Sequence, residues 1–133
     1  MKGVAARLTR GLNIGSLIVA ADNSGARMVR IVSVKKAKVA RGRQIPAKIG
    51  DWIKVSVRKG LPDMKGKVFD AVIIRQKKPY RRDSGERIAF ADNAAALLKD
   101  DKGNPKGTQI KGPVSREVAD RWPQVGKIAQ FIV

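Results

Sequence analysis

Asp51-Trp52-Ile53-Lys54-Val55-Ser56-Val57-Arg58 alternates apolar and polar residues from position 53 onward. Ile53, Val55 and Val57 fall on one face of an extended chain, and Lys54, Ser56 and Arg58 on the other. That pattern is a half-buried strand. On its N-terminal side, Leu17-Ile18-Val19-Ala20-Ala21 reads as a buried strand, and residues 26–34 with Val29, Ile31, Val32 and Val34 as a second. On its C-terminal side a strand is expected over 67–76, with shorter ones near 87–90, 94–98 and 127–132. Turn chemistry separates them. Asp22-Asn23-Ser24-Gly25 supplies residues that tolerate or favour the left-handed region, and Gly60-Leu61-Pro62-Asp63, Asp83-Ser84-Gly85 and Gly103-Asn104-Pro105 punctuate the rest. Many short strands with such punctuation predict a mainly β sandwich or barrel. The barrel is preferred because closure leaves no exposed strand edge. One helix is expected at 114–122, within 113–123. Val114, Val118 and Trp122 recur on one face, Pro113 starts the helix and Pro123 stops it.

The 133 residues predict a single domain, and 43% apolar content is enough for a core. No apolar run exceeds five residues, so no helix-length membrane span is encoded, and the N-terminus shows no signal-peptide pattern. A soluble, intracellular protein is the expectation. There is no cysteine and no histidine, which excludes disulfides, thiolate metal sites, cysteine nucleophiles and imidazole bases. No cofactor or metal is expected. Asp100-Asp101 is a surface-turn pair rather than a catalytic dyad, and residues 103–108 lack the spacing of a phosphate loop. Trp52 and Trp122 read as core or partner-facing residues.

Charge is the unusual property. There are 29 basic and 11 acidic residues, a net charge of +18. Through Arg82 the count is 21 basic and 4 acidic, net +17, and from Asp83 onward it is 8 and 7, net +1. A one-sided field of this size is the electrostatic footprint of a nucleic-acid binder. Three clusters carry it. Lys35, Lys36, Lys38, Arg41, Arg43 and Lys48 lie in a loop or ribbon containing Gly42 and Pro46. Arg58, Lys59, Lys65 and Lys67 surround the Gly60–Gly66 loop. Arg75, Lys77, Lys78, Arg81 and Arg82 form a third group, in which Tyr80 is placed to stack on a base or ribose. With only 5% aromatic residues, recognition of backbone and shape is expected over reading successive bases. On the helix, Arg116, Glu117, Asp120 and Arg121 form a mixed-charge face suited to a protein partner, since the two carboxylates would repel a phosphate backbone.

Three stretches together resemble the universal large-subunit ribosomal protein family fourteen. They are residues 21–26 (Ala-Asp-Asn-Ser-Gly-Ala), residues 71–74 with the basic hairpin and 90–95 (Phe-Ala-Asp-Asn-Ala-Ala), and residues 107–110 with 112–117. An N-terminal extension over 1–14 and the Arg-Gly-Arg-Gln loop at 41–44 resemble the archaeal–eukaryotic branch. The resemblance implies a five-stranded β-barrel with a protruding basic ribbon and a small C-terminal helical part. It implies a cytoplasmic, non-enzymatic component of the large ribosomal subunit that binds large-subunit rRNA. It also implies a place at the subunit interface, with small-subunit rRNA in an intersubunit bridge, neighbouring ribosomal proteins and an anti-association factor as partners. The alternative, from another class, is an architectural or regulatory nucleic-acid-binding module outside the ribosome. Such a module would act alone, whereas a ribosomal component would co-sediment with large subunits.

Overall fold

The computed structural model describes residues 3, 7–35 and 41–133. Five strands close a barrel in the order β1 (Leu17–Ala20), β2 (Ala26–Val34), β3 (Trp52–Gly60), β4 (Val68–Arg75) and β7 (Ala94–Leu98). Neighbours run antiparallel except at the seam, where β1 meets β7 in parallel through Val19↔Ala94 and Ala20↔Ala95. β3 behaves as its alternation predicts. Ile53, Val55 and Val57 are buried in the barrel, while Lys54 and Arg58 are exposed. Each of those buried side chains contributes about 1.5–3 kcal/mol relative to an exposed one. A two-stranded hairpin, β5 (Tyr80–Arg81) with β6 (Arg87–Ile88), leaves the barrel after β4.

Register shifts in the β2–β3 pair re-aim particular side chains. Ala26 opposes Gly60 and Met28 opposes Lys59, so Arg27 is an extra residue on β2. Met28 opposes Lys59 and Val29 opposes Val57, so Arg58 is extra on β3. Bulges of this kind bend the strand and turn the extra residue out of the ladder. Both arginines are exposed.

β4 does not alternate. Residues 71–76 are all buried, because both faces of this strand are covered. The inner face lines the barrel. The outer face carries a C-terminal layer made of β8 (Ile110–Val114), α1 (Arg116–Arg121), α2 (Pro123–Lys127) and β9 (Ala129–Ile132). β8 and β9 pair in parallel, which requires a crossover, and the two short helices supply it. The expected helix at 114–122 is therefore shorter. Pro113 and Val114 belong to β8, and Ser115 stands at the helix N-cap. Pro123 ends α1 but also opens α2, where its missing N–H costs nothing. Val114, Val118 and Trp122 are all buried as the spacing predicts, although Val114 contributes from a strand. The 110–114 strand escaped sequence reading because Lys111-Gly112-Pro113 has turn composition.

The turn after β1 is fastened from three sides. Gly25 has φ +106°, the left-handed region expected for it. Asp22 Oδ1 accepts from the Ser24 hydroxyl at 2.6 Å, and Oδ2 accepts from the Leu97 N–H at 2.9 Å. Asn23 Oδ1 accepts from the N–H groups of Thr108 and Gln109 at 2.7 and 3.2 Å. Leu8 and Leu12, from the expected N-terminal extension, join the same core cluster as the barrel residues.

Candidate nucleic-acid interface

Exposed cations divide into those held by an internal anion and those without one. In the hairpin cluster the strand geometry makes that division. Lys77, Lys78 and Arg81 are exposed, and none of them has an acidic partner among the described residues. Arg75 and Arg82 point the other way, each with a side chain only 8% exposed. Arg75 Nε donates to Asp92 at 2.8 Å, and Nη1 donates to the carbonyls of Lys111 and Pro113 at 2.9 and 3.0 Å. It therefore holds β8 against β4. Gly112 makes room for it, since a Cβ there would lie 2.6 Å from Arg75 Nη1. The expectation that Arg75 and Arg82 contact rRNA is corrected: both guanidiniums are spent on internal partners.

Tyr80 is corrected too. It is fully buried, so its ring is out of reach of any base. Its hydroxyl lies 2.8 Å from Ser115 Oγ and donates to Glu117 Oε2 at 3.0 Å. Arg82 Nε donates to Glu117 Oε1 at 2.8 Å, and Nη2 reaches the Val133 carbonyl. Ser115 Oγ also donates to Glu117. A single carboxylate thus joins the hairpin to α1, and the arginine extends the junction to the C-terminal residue. Burial alone would raise the Glu117 carboxyl. Hydrogen bonds from Ser115, its own N–H, Arg82 and Tyr80 outweigh burial and hold it below the ordinary carboxylate range. Burial pushes the Tyr80 phenol up, partly offset by Ser115 and Arg82.

Glu117 was expected on an exposed docking face, and that expectation fails because its side chain is 10% exposed and fully engaged. Arg121 is half-buried and pairs with Asp51 at 3.5 Å, so it is turned inward as well. Arg116 and Asp120 do remain exposed.

In the first cluster, Lys36 and Lys38 lie outside the described residues. Lys35 is partly committed, 3.2 Å from Asp70 and 4.2 Å above the Trp52 ring centroid. Arg41 and Arg43 are exposed on an irregular loop. Arg41 and Gly42 have φ of +61° and +70°, the sign needed at both central positions of a mirror-image tight turn. Lys48 is half-buried, and its backbone N–H donates to Asp51 Oδ2 at 3.0 Å. In the second cluster Arg58, Lys59, Lys65 and Lys67 are all exposed. Sequence reading missed Arg27 and Lys111, which the fold brings beside Lys59 and Lys65 around one cleft. Each stands alone in the sequence, so no run of charge marked it.

Asp100 is a turn anchor, as its surroundings in sequence suggest. It accepts from the Asn104 side chain at 2.9 Å and the Lys102 N–H at 3.0 Å. The Asn104 side chain chiefly holds its carboxyl below the usual range. Trp122 packs edge-on against Trp52, with ring centroids 6.3 Å apart, and donates to the Gly50 carbonyl at 2.9 Å. No group of three or more metal-ligating side chains occurs among the described residues. No helix there is long and apolar enough to cross a membrane.

Comparison with known proteins gives a consistent match. Residues 11–133 match the family described as ribosomal protein L14p/L23e. The protein of Nanoarchaeum equitans named large ribosomal subunit protein uL14 is 52% identical over 133 residues, covering 100% of both chains. Its namesake in Thermoplasma acidophilum is 52% identical over 134 residues, and that in Halobacterium salinarum 49% over 133, each again covering 100% of both chains.

Proposed function

The chain belongs to the ribosomal protein L14p/L23e family, and from that premise we propose that it is a structural, non-catalytic component of the large ribosomal subunit in the cytoplasm, anchored by large-subunit rRNA. The observation that carries the rRNA part is the set of exposed cations lacking an internal anion. Lys77, Lys78 and Arg81 present three of them on one side of a hairpin whose other side is locked to the protein. Arg41, Arg43, Arg58, Lys59, Lys65 and Lys67 extend the same field. Cations so placed release counterions when they meet phosphates.

Sedimentation of the tagged chain from cell extract tests the assignment, with co-migration with large subunits expected. The rRNA contact is tested by salt dependence. Lys77, Lys78 and Arg81 changed together to Ala should flatten the slope of log K against log salt by roughly 2, at about 0.7–0.9 per lost contact. Changing the exposed Lys99, Lys102 and Lys127 should flatten it far less. Equal flattening by the two sets would remove the hairpin from the interface.

The finer reading places the protein at the subunit interface, meeting small-subunit rRNA in a bridge, neighbouring ribosomal proteins and an anti-association factor. What supports a protein contact on α1 is that Arg116 and Asp120 stay free while Glu117 and Arg121 turn inward. Arg116→Glu with Asp120→Arg should leave the unfolding free energy within about 0.5 kcal/mol of the parent. It should reduce recovery of the anti-association factor on large subunits, and full recovery would clear this face of that role.

A further inference from the structure

The hairpin of β5 and β6 has little of its own to hold its shape. It consists of two residue pairs, Tyr80↔Ile88 and Arg81↔Arg87, and its sheet is separate from the barrel. A two-stranded hairpin alone is marginal in water. The second pair makes matters worse. Arg81 and Arg87 stand directly opposite each other, both exposed, and neither is paired with an acid among the described residues. Like charges so placed push the two strands apart.

The base of the hairpin is fastened to its own neighbours. The Lys77 N–H donates to Asn93 Oδ1 at 2.8 Å, and the Phe90 N–H donates to the Gln76 carbonyl at 3.2 Å. Further out, the tie is the α1 carboxylate. The Tyr80 hydroxyl donates to Glu117 Oε2 at 3.0 Å, and Arg82 Nε donates to Oε1 at 2.8 Å. Tyr80 and Arg82 flank Arg81, and alternate residues of an extended chain face the same way. With both drawn inward, Arg81 is held outward, and Arg87 shares its face. The Glu117 side chain is only 10% exposed and lies on the inward side. It can act on a bound phosphate only through the residues it holds.

We propose that Glu117 is a positioning residue for rRNA binding, its carboxylate holding Tyr80 and Arg82 so that Arg81 and Arg87 stand in their bound arrangement before rRNA arrives. The proposal rests on the rRNA-binding reading above and adds to it a residue of the opposite charge. The sign of the effect is diagnostic. A polyanion is repelled by a carboxylate, so removing one from a passive position strengthens binding. Removing this one should weaken it, because rRNA must then order the hairpin as it binds.

The test uses the full-length chain and purified large-subunit rRNA, at a temperature where denaturant melts show each variant folded. Glu117→Gln should lower affinity about fivefold, the cost of ordering two arginine side chains. Asp101→Asn, at an exposed carboxylate away from the hairpin, should change affinity less than twofold. The decisive comparison is a double-mutant cycle. With Arg81 and Arg87 both changed to Ala, Glu117→Gln should change affinity less than twofold, because nothing remains for it to position. A general loss of structure would give the same fivefold drop in both backgrounds. Should Glu117→Gln fail to fold, Tyr80→Phe takes its place in the cycle. It keeps the Arg82 pair and removes one tie, and a loss of about threefold is expected, again only while the arginines are present. Unchanged or raised affinity on removing the tie, or an equal loss in both backgrounds, overturns the proposal. In either case the rRNA-binding reading stands as long as the parent chain binds the rRNA. If the parent chain has no affinity for it, both fall.

Discussion

Glu117→Gln is expected to lower stability by about 3–5 kcal/mol, the cost of stripping the partner from a buried ion. Arg82 would keep its charge in a site largely shielded from water, facing a neutral amide in place of a carboxylate. The Tyr80 and Ser115 hydroxyls, both directed at Glu117, would lose their charged acceptor. The variant should unfold at a clearly lower denaturant concentration at neutral pH. The pH dependence has a definite sign. The folded carboxyl titrates below its ordinary value, so its contribution is complete above the unfolded value, about 4.3. It is lost as the pH falls through the depressed folded value. The gap between parent and variant midpoints should therefore narrow on acidification. Tyr80 acts at the other extreme. Its raised phenol contributes below about 10 and loses that contribution as the pH climbs through the folded value. Coincident midpoints at neutral pH would show that the hairpin and α1 are not coupled through this carboxylate.

Gly60→Ala should cost about 2–3 kcal/mol, the upper part of the range for overpacking. A Cβ at residue 60 would lie 2.6 Å from the Gly25 carbonyl oxygen and 3.0 Å from the Ala26 Cα. Both are backbone atoms, so no rotamer change relieves the contact. The β2–β3 pair must open at Ala26↔Gly60, and the Leu61 N–H loses its bond to Gly25. Gly66→Ala is the comparison. It shares the loop, has φ +82°, and its Cβ would meet nothing within 4 Å. Its cost should be only the roughly 1–2 kcal/mol of a left-handed alanine. Thermal or denaturant midpoints of the two variants decide the matter, and equal losses would mean that the close approach at residue 60 relaxes freely.

Alternation and turn chemistry were enough to locate the barrel strands. β3 follows a period of two because one face meets the core and the other meets water. The outer face of β4 could not be read that way. At Val72 and Ile74 it is apolar and fully buried because a distant segment covers it, and that covering is a tertiary fact. The same cause explains the hairpin. Arg75 and Arg82 look identical in sequence to Lys77, Lys78 and Arg81. Only the arrival of Asp92, Glu117 and the chain terminus distinguishes them. Tyr80 was read as a stacking residue because its pocket is built from residues thirty-five positions away. Charge runs locate clusters that are contiguous in sequence. They cannot find Arg27 and Lys111, which the β2 bulge and the bond from the Lys111 N–H to the Ala21 carbonyl bring together.

The parallel seam dictates an order of manufacture. β1 is the first barrel strand to leave the ribosome that synthesises the chain, yet one of its two edges finds no partner until residues 94–98 have followed. For that whole interval the nascent sheet is open, with Leu17–Ala20 presenting unpaired N–H and C=O groups. Closure pairs two strands far apart in sequence, and non-local pairing of that kind is a slow step. The C-terminal layer comes later still, because it begins with β8 at Ile110, after all five barrel strands. A chain halted before residue 110 would leave Val72 and Ile74 uncovered on the outer face of β4, an apolar strip prone to self-association.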